Sequence, residues 1–138
     1  GYLTVEQMAR KYDIEKYIIN HGKLFGDKLD EVFNQCEFAI GSLGRHRSGI
    51  TEIKTLKNRE YAARGISFIY SEMDSDFDNQ TYVIKAPADD TPIDVSEIIR
   101  YIDNSKVESS YIRHTVEHLS WKYQMRIVLD NVSNNSIH

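Results

Sequence analysis

Short apolar runs alternate with helix-forming segments in the central part of the chain, and this alternation most constrains the fold. The runs at 38–41, 66–70 and 82–86 are rich in β-branched and aromatic residues, which predicts strands. A further strand is predicted near 17–20. Because amphipathic segments separate the runs, the pattern indicates parallel strands joined by helices. We therefore predict an α/β fold with a parallel sheet and helices on both faces.

Capping signals mark where several helices begin and end. Thr4-x-x-Gln7 is typical of a capping box, and the same spacing recurs at Asp94-x-x-Glu97. Gly65 is the expected left-handed end of the helix that carries Glu60. The helix after Asp94 is predicted to face inward with its apolar residues, Val95, Ile98, Ile99 and Ile102. One domain is predicted over 1–130, followed by a disordered tail over 131–138.

Two acids, Glu52 and Glu60, lie eight positions apart where a loop gives way to a helix. If the helix starts near Lys54, Glu52 lies in the loop and Glu60 near the middle of the helix. Free N–H groups at Lys54, Thr55 and Leu56 then suit phosphate, and the carboxylates suit sugar hydroxyls. This spacing indicates a cradle for a nucleotide-sugar, although two solvated surface acids would show the same spacing.

The predicted carboxyl ends of the strands point to the same region. Ligands of open parallel sheets bind beyond these ends. The ends are predicted at His21-Gly22, Ser42-Leu43-Gly44 and Tyr70-Ser71. Glu52 lies in the loop after the second of them, so the strand pattern and the paired acids indicate one rim.

The segment FAIGSLGRHRSGITEIKTLKNREYAARGISFIY, at 38–70, resembles the nucleotide-sugar-binding half of the two-Rossmann-domain (GT-B) glycosyltransferases. It is most similar to the retaining group 1 enzymes of bacterial surface-polysaccharide pathways. Ser42 matches the small residue that ends the family's strand, and Glu52 and Glu60 match its two acids. The resemblance covers about 18–121. It departs after the first acid, where the family often has Gly-Phe-Gly and this chain has Ile53, Lys54 and Thr55.

The resemblance implies a Rossmann-like domain that binds a UDP- or GDP-linked sugar for transfer, with retention, to a glycan or lipid-linked acceptor. Glu52 would contact the transferred sugar as the catalytic residue, and Glu60 would hold the ribose hydroxyls. Lys54 and one of Arg45 or Arg47 would meet charge on the departing diphosphate. No metal or other cofactor is expected. The expected substrate-binding residues are Gly22, Ser42, Gly44, Arg45, Lys54, Thr55, Leu56 and Glu60.

A complete enzyme of this family also needs an N-terminal acceptor domain and the first strand–helix unit of the donor domain. The sequence carries no match to either, so we interpret it as a truncated donor-binding domain. Such a domain should transfer no sugar by itself, because catalysis needs donor and acceptor held between two domains.

Composition narrows the class of protein and its partners. The 138 residues carry a formal charge of −4 and a pI near 5.7, which argues against a nucleic-acid partner. No apolar run has the length of a membrane helix, and no secretory signal is visible. A single cysteine favours a reducing compartment. We therefore expect a cytoplasmic location, with peripheral association at the inner face of the membrane left open for the full-length enzyme.

Two other polar clusters have competing interpretations. Asp74, Asp76 and Asp78 form D-x-D-x-D, but an EF-hand would need Gly and Glu where Asn79 and Lys85 stand. We therefore predict an acidic surface loop. The cluster at 45–47, Arg-His-Arg, is either a solvated basic loop or supplies an arginine to the donor diphosphate or an acidic acceptor.

Two alternative classes of protein share this fold pattern. One is a non-catalytic Rossmann-like nucleotide-binding or receiver module, and the other is half of a nucleotide-sugar epimerase. A receiver needs a phosphoacceptor Asp at the end of a middle strand, whereas Ser42 and Tyr70 occupy such positions. An epimerase would turn over nucleotide-sugar without an acceptor.

Overall fold

The computed structural model describes residues 3–135. The chain divides into two compact units, Gly1–Gln35 and Cys36–His138. In the first unit, helix α1 (Val5–Lys11) precedes a 3-10 turn (Glu15–Tyr17) and helix α2 (Asp27–Phe33). Thr4 and Gln7 form the predicted capping box at the start of α1.

The prediction of a strand near 17–20 is wrong. The Tyr17 N–H donates to the carbonyl of Ile14 at 3.0 Å, and the Ile18 N–H donates to that of Glu15 at 3.1 Å. These bonds close a tight 3-10 turn, so the backbone groups that a strand would present to a neighbour are used locally. Apolar β-branched residues favoured a strand here, but local turn formation overrode that preference.

The second unit contains the sheet. Its elements are β1 (Phe38–Ile40), a 3-10 turn (Arg45–Ser48), α3 (Leu56–Ala63), β2 (Ser67–Tyr70), β3 (Val83–Lys85), α4 (Val95–Asn104), α5 (Ser109–Thr115), a 3-10 turn (Glu117–Leu119) and α6 (Trp121–Asn135). The strands predicted at 38–41, 66–70 and 82–86 are therefore confirmed. A helix occupies 131–135, which were predicted to be disordered; the rest of that predicted tail, 136–138, lies outside the described residues.

The three strands form a parallel sheet in the order β1-β2-β3. Ala39 pairs with Phe68, and Ile69 pairs with Ile84. Backbone bonds extend both pairings past the strand ends: the Gly41 N–H donates to the Ile69 carbonyl at 2.8 Å, and the Ala86 N–H donates to the Tyr70 carbonyl at 2.9 Å. The predicted α/β class with a parallel sheet is confirmed, with β2 as the central strand.

Both faces of β2 are covered, as its fully buried sequence requires. On one face, Ile69 packs with Ile84, Ala86 and Ile98 of α4. On the other face, the rings of Phe68 and Tyr61 of α3 lie 5.8 Å apart. Aromatic packing continues there to Tyr70, Phe77 and Tyr82.

Helix α4 buries less of its apolar surface than its sequence predicts. Asp94 caps it by accepting from the Ser96 N–H at 2.9 Å, and Ile98 is buried. Val95 and Ile99, however, are 56% and 54% exposed. The inward orientation predicted for these two residues is wrong, because the three-stranded sheet covers only the stripe that contains Ile98 and Ile102.

Gly41 permits the closest backbone approach at the end of β1. A Cβ atom at this position would lie 2.9 Å from the Ile69 carbonyl oxygen and 3.1 Å from the Tyr70 Cβ. Gly41→Ala should therefore lower the free energy of unfolding by about 1–3 kcal/mol through overpacking. Chemical denaturation measures this loss. Gly44→Ala is the matched control, because a Cβ there has nothing within 4 Å; equal losses in the two variants would contradict the prediction.

Candidate functional site

Backbone hydrogen bonds join the loops at the carboxyl end of the sheet. The Ser42 carbonyl accepts from the Ser71 N–H at 3.0 Å and from its hydroxyl at 3.2 Å. Farther out, the Met73 N–H donates to the Thr51 carbonyl at 2.8 Å. Glu52 pairs with Met73 in an isolated parallel bridge. Glu52 is therefore held beside the extension of β2 at the rim, with an exposed side chain.

Helix α3 begins later than the paired acids suggested. Thr55 is its N-cap, because the Thr55 hydroxyl accepts from the Asn58 N–H at 3.3 Å. Four amides at a helix start have no intrahelical acceptor, and the cap satisfies only that of Asn58, so the amides of Thr55, Leu56 and Lys57 remain. The predicted set at 54–56 shifts toward the helix by one residue, and the structure gives Thr55 a capping role.

Glu60 lies near the middle of α3, as the sequence predicted. Its carboxylate is 47% exposed and lies 3.4 Å from Nη2 of Arg64, one helical turn farther on. Such a pair is weak in a helix, at about 0.2–0.5 kcal/mol. The Glu60 carboxylate therefore remains able to exchange this contact for a ligand hydroxyl.

The remaining predicted binding residues are distributed between the two units. Ser42, Gly44 and Arg45 lie in the loop that follows β1, and Arg45 begins its 3-10 turn. Gly22 belongs to the first unit, where its N–H donates to Oδ1 of Asn20 at 2.9 Å. Gly22 does not follow a strand, so the structural reason for including it in the rim is lost.

The D-x-D-x-D segment is not the acidic surface loop that we predicted. Asp74 is fully buried, and its carboxylate accepts two hydrogen bonds from Arg59 of α3, at 3.0 Å and 3.1 Å. Arg59 also donates to the Thr55 carbonyl at 2.9 Å and to Asp76. The aromatic Phe77 within the acidic run is also buried. That ring was the sequence signal that this segment is anchored inside the fold.

Burial and hydrogen bonding act in opposite directions on these charges. Burial alone would raise the pKa of Asp76, but hydrogen bonds from Lys54 and Arg59 outweigh it and hold that pKa below its ordinary value. Burial likewise opposes the charge on Arg59, yet its bonds to Asp74 and Asp76 raise the pKa of the guanidinium. Lys54 lies 3.0 Å from Asp76. The lysine expected to face diphosphate is thus already paired with a carboxylate.

Asp78 forms the second half of the network. It accepts from the Tyr70 hydroxyl at 2.5 Å and from Nζ of Lys85 at 2.6 Å. These bonds outweigh burial and lower the pKa of Asp78. Burial, followed by the bond to Asp78, raises the pKa of Tyr70 well above its ordinary value. Lys85 also donates to the main-chain oxygen of Glu72.

Glu72 differs from the other acids of this segment. Its side chain is buried at 1% exposure, and within residues 3–135 neither carboxylate oxygen has a hydrogen-bond partner. Buried carboxylates normally have partners, because an unsatisfied one is costly. Asp74, Asp76 and Asp78 are paired with Arg59, Lys54 or Lys85, whereas among the described residues the Glu72 carboxylate has no hydrogen bond that would offset its burial.

A cleft of about 330 Å³ opens near Gly44, between the loops that follow β1 and β3. His46 and Arg47 from the first loop both contact Asp90 from the second, at 2.8 Å and 2.7 Å. The sequence identified His46 and Arg47 as a basic cluster but assigned Asp90 no role. Because the two loops follow strands on either side of β2, only the sheet order brings these residues together.

Comparisons with known proteins give no family for this chain. No protein-family model, curated protein or solved structure matches it. Within the described residues, no helix is long and apolar enough to span a membrane. In the same part of the chain, no three His, Cys, Asp or Glu side chains form a group that could hold a metal ion.

The Arg59–Asp74 pair should dominate the stability of this region. Asp74→Asn leaves Arg59 partly buried without its bidentate partner, and should lower the free energy of unfolding by about 3 kcal/mol. Urea denaturation measures this change. Asp103→Asn, on the exposed side of α4, is the matched control and should change it by less than about 0.5 kcal/mol. If Asp74→Asn lowers the free energy of unfolding by less than about 1 kcal/mol, the Arg59–Asp74 pair does not dominate the stability of this region.

The lowered pKa values of Asp76 and Asp78 predict a loss of stability in acid. Their contribution is fully present above the unfolded pKa, about 3.9, and is lost as pH falls through the lower folded pKa. The free energy of unfolding should therefore decline below about pH 4. Asp78→Asn should make that decline shallower, as measured by urea denaturation at several pH values. Parallel curves for the two proteins would show that Asp78 contributes nothing to it.

Proposed function

We propose that the chain is the donor-binding domain of a retaining GT-B glycosyltransferase, with a Rossmann-like fold. The observation that supports this most strongly is the position of Glu52, which a backbone bridge holds at the carboxyl rim of a parallel sheet. The helix that follows this loop begins with three amides that have no intrahelical acceptor or cap, and it carries Glu60. A loop acid, a helix start and a helix acid then border one ligand site.

Each group in this arrangement has a role that its chemistry suits. The amides of Leu56 and Lys57, at the positive end of α3, receive phosphate oxygens of a UDP- or GDP-linked sugar. Glu60 accepts from the ribose hydroxyls, and Glu52 contacts the transferred sugar. Lys54 contributes positive charge near the departing diphosphate while Asp76 fixes its position.

The proposed reaction needs further parts beyond this domain. An acceptor domain would close over the sugar, hold a glycan or lipid-linked acceptor beside it and exclude water, which favours transfer to the acceptor over hydrolysis. We propose transfer with retention, without a metal ion, on the cytoplasmic side of the membrane. Divalent-ion dependence of the two-domain enzyme, tested with a chelator, would overturn the metal-free part of this proposal.

Glu60→Gln tests the nucleotide site. The substitution removes one charged acceptor, so it should weaken binding of UDP- or GDP-linked sugars by roughly tenfold or more. The thermal midpoint should stay nearly unchanged, because the pair with Arg64 contributes little. Isothermal titration of the 138-residue chain with a panel of nucleotide-sugars measures the affinity.

Glu37→Gln is the matched control for this test. Glu37 is exposed and immediately precedes β1, at the opposite end of the sheet. It should leave affinity unchanged. Equal affinity of the Glu60 variant and the parent chain would overturn the proposed ribose contact. Turnover of nucleotide-sugar by the two-domain enzyme without any acceptor would instead favour the epimerase alternative.

A further inference from the structure

The cleft beside Gly44 is built on a rigid base. Leu43 and Ile93 line it, and both pack against the core cluster that contains Ile69 and Ile84. Its volume of about 330 Å³ lies at the small end of the range of ligand pockets. The two loops that line the cleft are therefore held against the core where they leave β1 and β3.

Two donors converge on one carboxylate oxygen in this cleft. Oδ1 of Asp90 lies 2.8 Å from Nε2 of His46 and 2.7 Å from Nε of Arg47. The bond to His46, followed by that to Arg47, lowers the pKa of Asp90. The Asp90 side chain is nevertheless 69% exposed. Exposed ion pairs are weak and exchange readily, so another anion can compete for the same donors.

His46 also retains an unused ring nitrogen. Its side chain is 19% exposed, and Nδ1 is buried without a hydrogen-bond partner in the described part of the chain. Buried polar atoms are usually satisfied. Since Nδ1 is buried, the ring nitrogen that His46 presents to Asp90 and the cleft is Nε2.

We propose that the cleft binds a phosphate group of a ligand, and that Asp90 is an internal competitor occupying the anion position until the ligand displaces it. Donors that bind a carboxylate oxygen also bind a phosphate oxygen. Asp89, the other acid of the cleft, accepts from the Thr91 N–H at 2.8 Å. With both acids in place the cleft does not favour an anion, so ligand binding requires Asp90 to leave. The resemblance offered Arg47 for the donor diphosphate, whereas this site is formed by His46 and Arg47 opposite Asp90 and needs neither Glu52 nor Glu60.

Inorganic pyrophosphate is the probe, titrated into the chain at constant ionic strength. Binding is followed by the NMR signals of the His46 ring and by calorimetry. Asp90→Asn should bind pyrophosphate about fivefold more tightly than the parent chain, because the competing carboxylate is gone. Asp89→Asn removes the same charge from the cleft without freeing His46 or Arg47, and should change affinity by less than about twofold.

Two further variants complete the test. Arg47→Gln added to Asp90→Asn should abolish the gain, and Glu37→Gln, at the opposite end of the sheet, should leave pyrophosphate binding unchanged. Thermal midpoints confirm that each variant is folded. Absence of pyrophosphate binding in both the parent chain and Asp90→Asn would overturn the proposal. Equal gains for Asp89→Asn and Asp90→Asn would also overturn it, since general charge would then explain the effect. Neither outcome bears on the nucleotide contact assigned to Glu60.

Discussion

The ion pair between Arg59 and Asp74 fixes the connection on which the sheet depends. Parallel neighbours need a crossover of about a dozen residues or more, and a helix usually supplies it. Between β2 and β3 the segment 71–82 contains no helix. Arg59 reaches from α3 to Asp74 and Asp76 in this segment, so one side chain joins the preceding helix to the following crossover.

The same network determines how the rim is presented. Arg59 donates to the carbonyl of Thr55, the residue that caps α3. Met73, one residue before Asp74, pairs with Glu52. The helix start and the loop acid are consequently held by one cluster of contacts. Displacement of Asp74 would disturb both sides of the proposed nucleotide site, even though Asp74 itself contacts no ligand in that proposal.

Local patterns in the sequence predicted the strands of the sheet and much of the helical structure, but they also predicted a strand near 17–20, where the chain forms a 3-10 turn. Periodicity identified all three strands of the sheet, and the cap at Gly65 has the expected positive φ of 74°. Contacts between distant segments were not predictable in this way. Asp74 looked like a surface acid because its partner, Arg59, lies on another element. Asp90 gave no signal because its two donors lie more than forty positions earlier.

The order of the strands has a consequence for how this unit acquires its structure. Strands β1, β2 and β3 are neighbours in space in the order in which they occur along the chain. The Arg59–Asp74 contact spans only 15 positions. Contacts between nearby segments cost little loop-closure entropy and favour rapid folding. The ionic anchor can thus form early, ahead of the slower pairing of the parallel strands.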